Sequence, residues 1–141
     1  MNEIKLGKQE VIHFVGIGGI GMSGLAQIMR TMGFKVQGSD INKNKNTENC
    51  KKLGIKIFIA QKRKNVNKAT ILVKSSAINS SNPELLQAKK NNIPIYDRIE
   101  MLANIINLKK KYYNYRVSWQ NNHYITCGKN YVNSKIRPNY Y

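Results

Sequence analysis

The residues with the plainest chemical meaning are the glycines of Gly16-Ile17-Gly18-Gly19-Ile20-Gly21. They satisfy G-x-G-x-x-G between an apolar run and an amphipathic one, where the pattern marks a strand turning into a helix. Gly16 permits the tight turn, Gly18 lacks a Cβ where a diphosphate would approach the backbone, and Gly21 allows close helix–strand packing. A helix beginning there presents N–H groups without intrahelical partners and a partial positive charge, which suits an anion. Asp40 follows at the end of the next strand-like run, where an acid commonly accepts hydrogen bonds from a ribose. Together these features specify a nucleoside diphosphate and leave open which one; the loop alone fits NAD or FAD, as in an oxidoreductase. Asp97, Glu100 and His123 are isolated, and no nucleophile, general base or metal-ligand set can be assembled. His13 lies inside an apolar run, the place of a core histidine.

The elements that must position this loop alternate along residues 11–110. Val11 to Ile17 is a short apolar run ending in glycine, the pattern of a strand buried on both faces. Ile20 to Met32 follows as a helix with Met22, Leu25, Ala26, Ile28 and Met29 on one face, closed by Gly33. Further strands are expected at Lys35 to Asp40, Ile55 to Ala60, Thr70 to Ser76 and Ile93 to Tyr96, with a short helix over Thr47 to Leu53. Asn82-Pro83-Glu84 supplies a cap, a proline at the first helical position and an acid in the first turn of a helix reaching about Asn91. Arg98 to Lys110 closes the series as a last helix. Such alternation predicts an α/β fold: a Rossmann-like open parallel sheet of five strands with helices on both faces. Residues 1–10 are then an N-terminal extension. Ligands on such folds bind beyond the C-terminal ends of the strands.

Composition narrows the classes further. The 141 residues provide one domain, or one domain and a tail. Cys50 and Cys127 have no C-x-x-C spacing and read as free thiols of a reducing compartment. No apolar run approaches the roughly 20 residues a membrane helix needs, and the first ten residues lack a signal-peptide layout. A soluble cytoplasmic protein without a membrane partner is expected. The net charge of +17 invites a nucleic-acid reading. The lysines are scattered, however, with no aromatic interleaving to stack bases, so a solvated basic surface is preferred.

A longer run, from His13 through the glycine loop to Met22-Ser23-Gly24-Leu25-Ala26, resembles the signature I-H-F-[VI]-G-I-G-G-x-G-M-S-G-[IL]-A of the muramate–alanine ligases, within the Mur ligase family. Gly38-Ser39-Asp40, Ser75-Ser76-Ala77-Ile78, Asn82-Pro83-Glu84, Ile93-Pro94 and Arg98-Ile99-Glu100-Met101-Leu102 match in the same order. The resemblance covers about residues 8–110. It implies a Rossmann-like domain that holds UDP-N-acetylmuramate, for a ligase that adds L-alanine to it in peptidoglycan synthesis. By position, Gly16, Gly18, Gly19, Ile20 and Gly21 would form the diphosphate loop, Ser39 and Asp40 would lie near the nucleoside, and Ser75, Ser76 and Ala77 would form the adjoining loop. Lys74 departs from the family, which has an apolar residue before Ser-Ser. A related ligase that recycles murein peptides carries a different loop and ranks second.

The family's chemistry needs ATP and Mg2+, with a P-loop G-[TS]-H-G-K-T-T to cradle the phosphates. No such motif occurs in the 141 residues, so the fragment is expected to bind no ATP and to be inactive alone. Residues 111–141 hold seven of the eight tyrosines, the only tryptophan and no acid, and read as an irregular basic tail. A one-base frame change makes Trp119-Gln120 encode glycine, Gln120-Asn121 Lys or Arg, and each following pair through Ile125 Thr or Ile. The shifted frame can thus read S-H-G-K-T-T-T-T-S-L, so the tail is expected to be out-of-frame translation. The competing reading is a basic, tyrosine-rich arm that binds nucleic acid.

Overall fold

A computed structural model describes residues 4–126, with side chains through residue 114. Five strands, β1 (Val11–Val15), β2 (Lys35–Asp40), β3 (Lys56–Ile59), β4 (Ile71–Lys74) and β5 (Ile95–Asp97), form one sheet in the order β3-β2-β1-β4-β5. Every pairing is parallel, with Val15 opposite Ser39 on one side and Lys74 on the other. The chain winds leftward from β1 through β3, then returns to β4 and proceeds rightward. The strand order therefore reverses between β1 and β4, and a crevice opens beyond their C-terminal ends.

Three helices connect strands, α1 (Ile20–Thr31), α2 (Lys45–Lys52) and α3 (Pro83–Lys90), with a 3-10 turn at Arg63–Val66 between β3 and β4, and α4 (Arg98–Thr126) follows β5. Right-handed crossovers place α1 and α2 on one face of the sheet and α3 on the other. In keeping with this, α1 packs beside α2 and α3 beside the 3-10 turn. Ile12, Phe14 and Val15 of β1 have no exposed surface, as expected of a central strand. Each such side chain contributes about 1.5–3 kcal/mol by leaving water. Val15, Leu72, Leu85 and Ala88 form the core under α3, with Val66 and Ala69 from the preceding turn. On α1, Met22, Leu25, Ala26 and Met29 are buried, and Gly33, at φ +90°, ends the helix in a conformation that favours glycine.

Several strands are a residue or more shorter than the sequence reading, and two helix boundaries differ from it for reasons that can be named. Helix α2 starts at Lys45 because Asn44 caps it: its side chain accepts the Thr47 N–H, while the Thr47 hydroxyl accepts the Asn44 N–H at 2.9 Å. Helix α4 does not stop near Lys110 but continues to Thr126. No proline or glycine lies between Lys110 and Thr126, so nothing local interrupts it, even though an apolar stripe is lacking. The chain divides into two compact units, Met1–Asn104 and Ile105–Tyr141, the first holding the whole sheet. Residues 127–141, where part of the frame-change reading and Cys127 fall, lie outside the described ones.

Candidate functional site

The turn after β1 is built on a single carbonyl. Gly16, at φ +80°, and Ile17 both donate their N–H groups to the Ser39 oxygen, at 2.8 and 3.0 Å. The chain then folds back, Gly19 N–H donating to the Gly16 carbonyl at 3.2 Å, and enters α1. Gly19 is the N-cap and offers no side-chain acceptor; the first turn holds no acid. The first intrahelical bond is Ser23 N–H to the Gly19 carbonyl at 2.8 Å, so Ile20, Gly21 and Met22 open the helix with N–H groups that no earlier turn can accept. Ile20 is 87% exposed. An anion at this end would meet several donors and the positive pole of the helix together.

Gly18 differs from its neighbours. It is buried, and its N–H donates to Asp40 Oδ2 at 2.8 Å. Its carbonyl accepts from Asn44 Nδ2 at 3.1 Å and Asn46 Nδ2 at 2.9 Å. A Cβ on Gly18 would lie 2.7 Å from Asp40 Oδ2 and 2.8 Å from Asn44 Nδ2. The missing side chain therefore makes room for the protein's own carboxylate and amide, which lock the loop to β2 and α2.

Across the switch point, the Ser75–Ala77 turn follows β4. Ile78 N–H donates to the Ser75 carbonyl at 3.1 Å and Ala77 N–H to Ser75 Oγ at 3.3 Å. The Ile78 side chain comes within 3.1 Å of the Cβ position of Gly16, so the two loops meet. Beside them a cleft of about 340 Å³ is lined by Lys74, Ser76, Asp97, Arg98, Ile99 and Glu100. The Lys74 ammonium pairs with Asp97 at 2.8 Å, which is how a lysine fits at this strand end. Arg98 reaches from the start of α4 to the first turn of α1: a Cβ on Gly21 would collide with its guanidinium, Cζ lying 2.9 Å away. An exposed cation thus lies against the helix end already favourable to anions.

A family model described as Mur ligase family, catalytic domain, matches residues 11–110, most of the chain and the whole of the sheet. The chain belongs to the Mur ligase family. Among Mur ligases it is similar to the UDP-N-acetylmuramate–L-alanine ligase of Pelagibacter ubique, with 63% identity over 108 residues, 77% of this chain and 23% of that protein. The corresponding ligase of Aquifex aeolicus is 53% identical over 98 residues, 70% of this chain and 22% of that one. A crystal structure of the UDP-N-acetylmuramate–alanine ligase from Thermotoga maritima superposes with a TM-score of 0.68 at 36% identity, over 70% of this chain and 23% of that chain. The chain spans about a quarter of the length of these Mur ligases.

Of the residues expected in a Mur ligase site, Gly19, Ile20 and Gly21 stand at the open helix end, and Ser76 and Ala77 are exposed on the neighbouring turn. Asp40 is at the strand end, but its carboxylate holds Gly18 and the Asn42 N–H. Ser39 departs from expectation: it has no exposed surface, and its hydroxyl donates to Glu84 Oε2 at 2.5 Å, so it supports the loop from beneath and offers no side chain to a nucleoside. His13 is a core residue, as its place in β1 implied, yet not an inert one, since its Nε2–H donates to the same Glu84 oxygen at 3.2 Å. The Gln37 amide donates to His13 Nδ1 at 3.1 Å and to the Asn65 carbonyl at 2.9 Å, while Asn65 Nδ2 donates to Glu84 Oε1 at 2.7 Å. Burial by itself would raise the Glu84 carboxyl. Hydrogen bonds from His13, Ser39 and Asn65, with attraction to the imidazole, outweigh it and hold the group below the usual carboxylate value. Sequence reasoning missed Arg98 and this buried network. Each joins residues far apart in the chain, and the signal for Arg98 was its place in the matching run Arg98-Ile99-Glu100-Met101-Leu102, to which no site role had been attached.

Proposed function

We propose that this chain binds UDP-N-acetylmuramate as the nucleotide-sugar domain of a ligase that joins L-alanine to it in peptidoglycan synthesis, a cytoplasmic reaction. The observation that carries the reading is the uncapped start of α1 beside the β1/β4 switch point, with Arg98 against its first turn. The diphosphate would accept hydrogen bonds from the opening N–H groups of Ile20 and Gly21 and a charge-assisted pair from Arg98. The sugar would extend toward the Ser75–Ala77 turn and the cleft beside Lys74. Asp40 positions the loop through Gly18 while remaining at the end of β2, where a ribose would rest.

The residues present do not fit ATP as a Mur ligase uses it. The glycine loop lacks the Lys-Ser/Thr pair of a P-loop, and no G-x-x-x-x-G-K-[ST] occurs in the 141 residues. Among the described residues no group of His, Cys, Asp and Glu is gathered to hold a metal ion, and no helix is long and apolar enough to cross a membrane. The chain's own part is therefore to bind and orient; the contacts that turn binding into rate enhancement must come from elsewhere.

Titration calorimetry with UDP-N-acetylmuramate, UDP, NADH and a single-stranded oligonucleotide tests the reading. Heat with the two uridine nucleotides, weakened about tenfold or more by Arg98→Ala, is expected. Saturable binding of NADH without UDP would restore the oxidoreductase reading and end this one.

A further inference from the structure

Glu84 is the carboxylate without exposed surface among the described residues, and the nucleotide site does not touch it. Its placement starts with α3. Asn82 accepts the Glu84 N–H at 2.9 Å and Pro83 opens the helix, which turns the Glu84 side chain inward under the sheet. There one oxygen accepts from Ser39 Oγ of β2 and His13 Nε2 of β1, and the other from Asn65 Nδ2. Every polar atom of the cluster is satisfied: among the described residues no buried side-chain nitrogen or oxygen lacks a partner.

Ser39 is also the residue whose carbonyl receives the N–H groups of both Gly16 and Ile17. The first corner of the phosphate-facing loop hangs on Ser39, and the Ser39 side chain hangs on Glu84. Meanwhile Glu84 belongs to the helix that follows the Ser75–Ala77 turn, the other wall of the switch point. One buried group is thereby linked to both loops. A buried polar cluster adds little stability over an apolar filling of equal volume, so its presence here asks for a reason other than stability.

We propose that Glu84 is a positioning residue for the nucleotide loop: through Ser39 its carboxylate sets the backbone of Gly16 and Ile17, and so the direction of the N–H groups at the start of α1. The consequence for affinity rests on the uridine-diphosphate reading above; the consequence for the loop does not. Glu84→Gln keeps the shape and removes the charge. Ser39→Ala removes the link alone and leaves the Glu84–His13–Asn65 contacts in place.

The test measures amide hydrogen exchange residue by residue in the full chain, with Leu72 as reference because it is buried and bonded to the Pro94 carbonyl. A general loss of stability speeds all three amides together. Positioning predicts that Gly16 and Ile17 speed up by about tenfold more than Leu72 in both variants. UDP affinity should fall by about tenfold in parallel. Equal acceleration at Gly16, Ile17 and Leu72 in Ser39→Ala, which keeps the Glu84 contacts with His13 and Asn65, would overturn the proposal even if Glu84→Gln fails to fold. Failure of the unaltered chain to bind UDP would instead overturn the function, and the exchange data would judge Glu84 regardless.

Discussion

Replacing Gly18 by alanine asks whether the loop is shaped by contacts within the protein. The added Cβ would stand 2.7 Å from Asp40 Oδ2, 2.8 Å from Asn44 Nδ2 and 3.0 Å from Asp40 Cγ. Ordinary contact begins near 3.4 Å, so the carboxylate must retreat by about 0.7 Å. That motion stretches its 2.8 Å bond to the Gly18 N–H. Hydrogen bonds to charged groups contribute about 1.5–3 kcal/mol. Gly18 does not occupy the left-handed region, so alanine returns about 0.4–1 kcal/mol by restricting the unfolded chain. The net loss is about 1–2 kcal/mol, a fall of roughly 4–15 °C in Tm for a unit near 100 residues. Urea unfolding followed by circular dichroism measures the stability, and calorimetry with UDP measures the site. Because the flexible ends of Asp40 and Asn44 give way before the backbone does, affinity should drop as the loop loses its anchor. A variant as stable as the parent, with unchanged UDP affinity, would refute the reasoning.

Three further outcomes follow from features already described. The depressed Glu84 carboxyl stabilises the fold fully above the unfolded carboxyl value, and that contribution disappears as pH falls through the lower folded value. The stability of the parent in urea should therefore decline on acidification, while Glu84→Gln starts lower, by about 1–3 kcal/mol, because a buried donor loses its acceptor, and changes less; parallel profiles would contradict this. Burial raises the Cys50 thiol, against a small opposing effect of the Gln27 amide, so alkylation mapped by mass spectrometry should find Cys50 protected until the protein unfolds. Lys74→Leu should alter stability by less than about 1 kcal/mol, because its partner Asp97 is 54% exposed; a larger loss in urea would show the pair to matter more than its solvation allows.

Local patterns carried most of the fold. The apolar run at Val11, the stripe from Met22 to Met29 and the cap at Asn82 each became the expected element, because backbone bonding and one buried face decide them. The glycine turn was legible for the same reason: Gly16 has the positive φ such a bend demands. What escaped was long-range. Nothing near Glu84 in the chain announces that it will meet His13, Ser39 and Asn65, and an acid in a first helical turn normally faces water. Gly18 was read as space for a ligand, whereas Asp40 and Asn44 fill the space. Helix α4 outran its apolar period because interruption requires a breaker, and none precedes Gly128. The out-of-frame reading of residues 111–141 rests on codon arithmetic; resequencing the DNA across Trp119 decides it, with immediate stop codons in the shifted frame as the adverse result.

The bare N-cap of α1 has a consequence for engineering. Gly19 has φ −65° and ψ 147°, a conformation any residue adopts, and a Cβ there would make only ordinary contacts, the nearest at 3.5 Å. Serine or aspartate would fit and would strengthen the helix by a few tenths of a kcal/mol. On the uridine-diphosphate reading proposed above, the same oxygen would occupy the place of the phosphates. A search for thermostable variants should therefore select changes at this position that silence the site, an instance of robustness and activity drawing on one set of backbone donors.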